Sequence, residues 1–552
     1  MPMPPMPPLQ SARPSAWREP ATALLLAAVA GACRAPDEHR AEADREVYAL
    51  VEERRAALFG DGLLLTVEPP TDSLRARLLS GAETGPLEID LVAGLEIAAE
   101  NSREYRFRRE ALYLAALDLT LERWRFTVQE RGSLGAQFDR SAPGVEELSA
   151  DGQATLSRLF GAGALVVGDI GLELFRNLAQ ADGWDAVSSL GLSISQPLLR
   201  GFGREVVQEP LTQAERDLVY EVRAYERFRR TFAVDVATRI YRILQQADVV
   251  KNERSNLENL ELLRQRNEVL AAAGRLSDIQ VDQARQDELQ SRERLISEEQ
   301  RYETLLDAFK LFLGLPIQSP LACDPAELAR LGEGPSFDPD RPEEPLVALA
   351  LDERLDYRTT LDQVRDAERR VGVAADALRA GLDVFADVDL QSEEGRPLDL
   401  STDDSTATIG IDLDLPIDRL PERNAFRAAQ IELEAARRTA GEQADVIRAE
   451  LRALLREALA TLATFEIQQG AVVLAERRVE SARLRLDAGR ADTRDILEAQ
   501  EDLLEAQNAA TAARINHRLS ELALFRDLEI LRLDERGLGV DRELLQARTE
   551  GG

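Results

Sequence analysis

Two kinds of hydrophobic pattern follow one another along this chain, and the whole sequence of patterns occurs in two successive copies. The first kind is a long helical pattern, which covers about residues 211–272 and again about residues 422–488. In the second copy apolar residues return every seven positions, at Leu451, Ala458, Phe465, Val472, Val479 and Leu486. A heptad stripe on an otherwise polar helix predicts coiled-coil pairing with another helix rather than burial in a globular core.

Each helical pattern stops at a glycine and resumes a few residues later. Gly274 and Gly489 occupy these two breaks, within the similar segments AAAGRLSDIQ and LDAGRADTRDI. Glycine adopts the left-handed backbone conformation at a helix C-terminus without steric cost, and Asp492 or Thr493 can cap the helix that follows the second break. We therefore predict two helical hairpins that arose by internal duplication, with Gly274 and Gly489 at their tips.

The second kind of pattern is an alternation of apolar and polar residues, which is typical of a β-strand with two unlike faces. It occurs in four segments, residues 170–174, 190–197, 384–390 and 409–416. Pro197 and Pro416 end the second strand of each copy, at junctions with a following helix where no backbone donor is needed. The alternation predicts barrel strands with lipid outside and an acidic aqueous lumen inside. Residues 131–164 are too irregular to assign, so the strand count of the first copy stays open.

The N-terminus carries a targeting segment. Arg13 and Arg18 precede the apolar run ATALLLAAVA, which is too short to span a bilayer as a helix and is typical of a secretory signal. The run ends in AGAC, so cleavage before Cys33 would expose a cysteine for acylation; an ordinary signal peptide with an incidental cysteine is the alternative. Because the other cysteine is the distant Cys323, neither a disulfide framework nor a zinc site is expected.

These patterns divide the chain into six parts. They are a lipoprotein-type signal peptide (1–32), an N-terminal extension and linker (33–86), a first repeat of helix, strands and helical hairpin (87–315), a proline-rich linker (316–345), a second repeat (346–533) and a polar C-terminal tail (534–552). The predicted fold is mainly α with a small β part.

Composition and charge narrow the possible functions. The net charge of −32 argues against nucleic acid as a partner, because phosphate binding requires cationic patches. The two histidines, His39 and His517, lie far apart, and no cysteine–histidine cluster has metal-ligand spacing. No glycine-rich phosphate loop follows a strand. We therefore expect neither an enzyme nor a bound cofactor or metal.

Five segments together resemble the TolC-like family of outer-membrane efflux proteins. They are ENSREYR and DERLDYR at the openings of the two repeats, SISQPLLRGFGRE and DLDLPIDRLPERNAFRAAQIELEAA at the strand-to-helix junctions, and AGRADTRDILEAQEDLLEAQ at the second tip. Their order, duplication and spacing carry the resemblance from about residue 87 to residue 533. The lipoprotein-like start resembles the subset of the family that is anchored to the membrane by an acylated N-terminus.

The resemblance implies a homotrimeric exit duct in the outer membrane. Each protomer would give four strands to a shared twelve-stranded barrel, and its hairpins would form a helical tunnel in the periplasm. The partners would be a periplasmic adaptor protein, docked at the tips Gly274 and Gly489, and an inner-membrane transporter of the RND or ABC type. A non-conducting coiled-coil lipoprotein that scaffolds the cell envelope is the alternative.

The resemblance also implies a periplasmic gate near the second tip. Acidic residues line the closed entrance in the family, and Asp495 and Glu498 occupy the matching positions here, three residues apart on one helix face. Arg490 and Arg494 are then expected to hold the closed state by reaching a neighbouring helix. The alternative for the acidic pair is an ordinary solvated helix face.

Overall fold

A computed structural model describes residues 34–59, 66–68, 70–83, 85–142, 145–177, 184–331, 336–393, 395–397, 399–400, 405–488, 490–534 and 537–549. The chain divides after Leu64 into two compact units. In the first unit, the described residues form helix α1 (Pro36–Phe59). The remaining described elements belong to the second unit.

The first repeat runs from short helices through four strands into a long hairpin. Its elements are α2 (Leu74–Ser80), β1 (Leu87–Ile89), α3 (Leu91–Asn101), α4 (Arg103–Trp124), β2 (Val128–Ala142), β3 (Val145–Leu159), β4 (Leu165–Asn177), β5 (Asp185–Pro197), α5 (Arg204–Val207), α6 (Glu209–Ala272) and α7 (Asp278–Leu313). Strand β6 (Leu321–Cys323) then returns to pair in parallel with β1, which ties the end of the repeat to its beginning.

The second repeat repeats this order with fewer strands. Its elements are α8 (Ala326–Arg330), α9 (Glu343–Glu353), α10 (Leu355–Asp376), β7 (Gly381–Gln391), β8 (Thr406–Asp414), α11 (Leu420–Asp487) and α12 (Thr493–Asp527). The segment expected to be a polar tail contributes part of a small hairpin and a last helix, through β9 (Leu531–Asp534), β10 (Gly537–Val540) and α13 (Arg542–Thr549).

The two long hairpins, α6–α7 and α11–α12, lie side by side. Helix α6 has 64 residues and α11 has 68, so each is about 100 Å long. The heptad prediction is confirmed, since Leu451 and Ala458 are buried and the other stripe residues of α11 are half-buried. Near the tips the hairpins share one apolar cluster, formed by Leu260, Leu263, Ala482, Ile496, Leu497 and Ala499.

A buried carboxylate on α10 of the second repeat contacts α6 of the first repeat. Asp366 on α10 is fully buried and accepts a hydrogen bond of 2.5 Å from the hydroxyl of Tyr220 on α6. It also pairs with Arg216 of α6 at 3.0 Å and with Arg369 of its own helix at 2.8 Å. Two cations and a hydroxyl thus satisfy the single buried charge, which a buried carboxylate requires.

The strands form one antiparallel sheet in the order β2-β3-β4-β5-β7-β8. The implied count of four strands per protomer is therefore wrong for this chain, because the described residues give six strands to this sheet. Residues 131–164, which the sequence left unassigned, form most of the extra hairpin β2–β3. Its alternation is hard to recognise because glycine and alanine hold many of the apolar positions, among them Gly132, Ala136 and Gly152.

Candidate channel wall and hairpin tips

One face of the six-stranded sheet is apolar across its whole width. Cross-strand register places Leu134 and Phe138 of β2 in line with the apolar residues of the next strands. The large exposed members of this face are Val128, Leu134, Phe138, Leu156, Ile170, Leu172, Leu190, Leu192, Ile194, Val388, Ile409, Ile411 and Leu413. An apolar surface that spans six strands does not remain in water, and it marks a region covered by lipid or by another molecule.

The opposite face is mostly polar and strongly acidic. Its acidic members in the described strands are Asp139, Glu147, Asp151, Asp169, Glu173, Asp185, Asp383, Asp387, Asp389, Asp412 and Asp414. Within the same described strands, Arg131 on the edge strand β2 is the single basic residue of this face. The predicted acidic lumen is thus matched by a surface that would attract cations.

Glycines let several acidic side chains lie close to the backbone of the neighbouring strand. Gly135 is opposite Asp151, and Gly191 is opposite Asp169. A Cβ atom added to Gly135 would lie 2.3 Å from Oδ1 of Asp151, and one added to Gly191 would lie 2.4 Å from Oδ1 of Asp169. Each carboxylate therefore occupies the space that a side chain on the facing strand would need, so both positions require glycine.

Both predicted strand-to-helix junctions lie at the end of the sheet that faces the helices. Pro197 is the last residue of β5 and is in register with Asp383 of β7. Pro416 follows the end of β8 and precedes α11. The two junctions are joined by Arg200, which follows Pro197 and forms an ion pair of 2.7 Å with Asp414.

At the first hairpin tip the glycine conformation is as predicted. Gly274 has a φ of 70°, and nothing lies within 4 Å of the place where its Cβ would be. Gly489, predicted for the second tip, lies outside the described residues. The helix after that break is capped by Asp492, as expected, whereas the neighbouring Thr493 is buried and accepts a hydrogen bond of 3.2 Å from Asn267 of the first hairpin.

Solved outer-membrane proteins have a similar fold. VceC of Vibrio cholerae matches over 82 % of this chain and 97 % of its own, with a TM-score of 0.58 and 16 % identity. The CmeC outer membrane channel of Campylobacter jejuni matches over 83 % of this chain and 89 % of its own, with a TM-score of 0.58 and 15 % identity. A membrane protein of Pseudomonas aeruginosa matches over 84 % of this chain and 99 % of its own, with a TM-score of 0.60 and 15 % identity. No protein-family model and no curated protein matches the sequence.

This chain has the TolC-like outer-membrane channel fold. The resemblance found in the sequence is thereby confirmed at the level of the fold. The part that departs from the resemblance is the β2–β3 hairpin, which adds two strands to the sheet of the TolC-like protomer.

The four predicted gate residues of this TolC-like chain have different surroundings. Asp495 completes a capping box, in which its Oδ2 accepts the backbone N–H of Asp492 at 3.0 Å. Glu498 forms an ion pair of 3.1 Å with Arg478 of α11. Asp495 thus has a role in starting α12, beside any role that its charge has in a trimer.

Of the two predicted gate arginines, Arg494 shares a groove with Glu498, while Arg490 lies elsewhere. The groove runs between α12 and the first hairpin and is also lined by Asp287 and Glu501. Burial raises the pKa of Asp287, the charge of Glu501 raises it further, and a nearby arginine opposes both effects. The structure therefore gathers more carboxylates around Glu498 than the sequence indicated.

The sequence analysis missed the ion pair between Arg478 and Glu498 and the capping role of Asp495, for different reasons. Arg478 precedes Glu498 on another helix, so no spacing rule connects the two. The capping role of Asp495 did have a signal, because an acidic residue three positions after the cap Asp492 is the capping-box spacing. The predicted lipidation site, Cys33, lies outside the described residues.

Proposed function

We propose that this chain forms an outer-membrane channel, the exit duct of a tripartite efflux or type I secretion system. The observation that carries this proposal is the two-faced sheet, apolar on one side and acidic on the other, joined directly to two helical hairpins about 100 Å long. Apolar-out and polar-in strands suit a barrel in lipid, and long paired helices suit a tunnel across the periplasm.

The channel is a homotrimer in this proposal. One open sheet cannot stand in a bilayer, because lipid offers no hydrogen-bond partners for the backbone groups along its edges. The helices also lack a cover in a single chain. Within Leu420–Leu486 of α11, an apolar stretch long enough to cross a membrane is only 11 % buried, so neighbouring protomers would cover much of this surface.

The duct works passively between an energised transporter and the cell exterior. A periplasmic adaptor would contact the hairpin tips at Gly274 and Gly489, and an inner-membrane transporter of the RND or ABC type would supply the cargo. The cargo is a small molecule, a metal or a polypeptide, and the transporter selects it, since a wide acidic tunnel discriminates mainly by charge.

The gate of the duct is assigned to the second tip. In a trimer, Asp495 and Glu498 would be repeated around one axis, where crowded carboxylates favour bound cations. Arg490 and Arg494 are both exposed and would hold the closed state through contacts with a neighbouring protomer. The capping box limits how Asp495 can be tested, because its removal also weakens the start of α12.

A lipid anchor completes the proposal. Cleavage before Cys33 and acylation of this residue would attach the mature N-terminus to outer-membrane lipid, with about 0.8 kcal/mol for each buried methylene. The barrel supplies a second and larger attachment, so an unacylated variant is still expected to insert.

Membrane fractionation with heat-modifiable gel mobility tests the proposal. A channel is expected in the outer membrane as a complex of three chains that dissociates only on heating. A non-conducting lipoprotein scaffold would instead be released as a monomer when its anchor is removed by the variant Cys33→Ser. Recovery of folded monomers from that variant would contradict the channel proposal.

A further inference from the structure

Both outer edges of the six-stranded sheet are uncovered in the single chain, and they belong to β2 and β8. Apolar side chains of the edge strand β8 are strongly exposed. Ile409 on β8 is 83 % exposed, against 40 % for Val388 on the adjacent strand β7. Unpaired strand edges of this length are satisfied by pairing with another strand.

The strand directions allow the two edges to pair with each other in neighbouring copies. Every adjacent pair in the sheet is antiparallel, so with six strands β2 and β8 run in opposite directions. When a second copy is placed beside the first, its β2 is therefore antiparallel to β8 of the first. Such a contact joins different surfaces of the two copies, and repeated head to tail it closes into a ring.

The register of the sheet determines where these edges meet. The row that crosses the sheet through Arg131 of β2 ends at Thr406 of β8. A barrel needs a stagger between strands, and about one residue per strand corresponds to a tilt of about 35°. Six strands then require a shift of about six residues, which brings Arg131 of one copy opposite Asp412 of the next.

Charge supports the same alignment. Arg131 is the single basic residue on the acidic face in the described strands, and it lies on one edge. The other edge carries Asp412 and Asp414 on that same face. Arg131 lies seven residues after Trp124, the last residue of α4, and Asp412 lies eight residues before Leu420, the first residue of α11. The two residues are therefore at similar distances from the helices.

The β2–β3 hairpin is long enough to cross the apolar layer of an outer membrane. On its apolar face, charged residues flank the apolar positions, with Glu130 at one end of β2 and Arg140 at the other. Ten residue steps separate them, about 34 Å along a strand and about 28 Å in height at the same tilt of about 35°, close to the apolar band of outer-membrane barrels, which is about 25 Å tall. Arg140 also pairs with Glu146 across the hairpin end at 3.3 Å.

We propose that the β2–β3 hairpin is part of the barrel wall, and that the trimer closes an eighteen-stranded barrel through β8–β2 seams with Arg131 opposite Asp412. The number eighteen rests on the proposed homotrimer. A twelve-stranded barrel would need β4 at the seam, but β4 is already paired with β3 over thirteen residue pairs. Since barrel diameter grows about linearly with strand number, the lumen is about 1.5 times as wide as in a twelve-stranded barrel.

Cysteine cross-linking in intact outer membranes tests the seam. The background is the variant Cys323→Ser, which removes the internal cysteine. This background without introduced cysteines, treated with the same cross-linker, controls for any linkage through the N-terminal Cys33. In this background the pair Arg131→Cys with Asp412→Cys is treated with a short thiol cross-linker. We expect covalent dimers and trimers, with no species larger than three chains.

Two further cysteine pairs serve as controls, one for the register of the seam and one for the number of strands in the barrel. Thr406→Cys replaces Asp412→Cys as a partner on the same strand and face, but about 20 Å away, and we expect monomers. Val167→Cys with Asp412→Cys reports a seam at β4, because the row through Val167 ends at Thr408 and four strands shift it by about four residues. Again we expect monomers. Cross-linking of the first control would overturn the staggered register. Cross-linking of the second would give a twelve-stranded barrel, which overturns this inference and leaves the channel proposal intact.

A charge exchange provides a second measurement. Arg131→Asp is expected to lower the temperature at which the trimer dissociates, and adding Asp412→Arg is expected to restore it, since a true pair is coupled. Additive losses, or no cross-linking of the Arg131–Asp412 cysteine pair in a heat-modifiable trimer, would overturn the seam alone. Absence of any trimer would overturn the seam and the proposed function together.

Discussion

Two glycines with the same backbone conformation allow the packing of the helical body to be tested quantitatively. Gly314 ends α7 with a φ of 78°, and Gly274 follows α6 with a φ of 70°. A Cβ on Gly314 would lie 2.2 Å from the carbonyl oxygen of Asn101, at the junction of α3 and α4, whereas nothing lies within 4 Å of the same position on Gly274. The two sites therefore share the cost of a positive φ and differ in the space available.

The expected losses follow from this difference. A left-handed conformation costs an alanine about 1–2 kcal/mol, which is the whole cost expected for Gly274→Ala. Gly314→Ala adds about 1–3 kcal/mol for overpacking, because the atom it meets is backbone and cannot rotate away. Its total cost is thus about 2–5 kcal/mol.

Denaturant unfolding of the detergent-solubilised protein, followed by helical circular dichroism, measures both losses. The midpoint is expected to fall clearly further for Gly314→Ala than for Gly274→Ala. Equal shifts would show that only the backbone conformation matters, and would refute the close contact between the end of α7 and the α3–α4 junction.

Further predictions concern charge, pH, gating and processing. Asp366→Ala should cost about 2–4 kcal/mol in the same unfolding assay, because it removes the buried acceptor of the Tyr220 hydroxyl and the carboxylate that Arg216 and Arg369 share; a loss below about 1 kcal/mol would contradict this. Burial opposes ionisation of Asp356, but hydrogen bonds from one arginine and the charge of another outweigh it and lower its pKa from 3.8. Its stabilisation is therefore complete above pH 4 and lost as the pH falls further, so Asp356→Asn should flatten the acid loss of stability; an unchanged profile would refute this. The pair Asp495→Asn with Glu498→Gln should weaken channel block by divalent cations and keep the helix cap, and undiminished block would place these side chains away from the pore. Mass spectrometry should find an acylated Cys33 at the mature N-terminus, and a different N-terminal residue or a Cys33 without lipid would disprove lipidation.

The helical part of the fold could be predicted from the sequence because its signal is long and repetitive. The heptad stripe through Leu451 and Ala458 predicted that the long helices pair, and Gly274 predicted the position of the first tip. The hairpin β2–β3 could not be predicted in the same way. Small residues such as Gly152 and Ala154 hold several of its apolar positions, so the alternation of apolar and polar residues is weak along each strand.

The candidate site was predictable only where its chemistry is local. Asp492 was expected as a cap because a cap depends on residues that are close in sequence. The partner of Glu498 was not, because Arg478 reaches it from another helix and the register between two long helices sets that contact. The proposed gate depends on contacts between the protomers of the proposed trimer, and no local pattern in the sequence predicts such contacts.

Single-channel recording in planar bilayers tests the central claim, that this chain conducts. The account predicts stepwise currents from the purified trimer and, in a salt gradient, a reversal potential that favours cations because the wall is acidic. It also predicts a larger conductance for the variant Arg490→Ala with Arg494→Ala, whose gate is loosened. A stable trimer that passes no current, both as the natural protein and as this variant, would contradict the account.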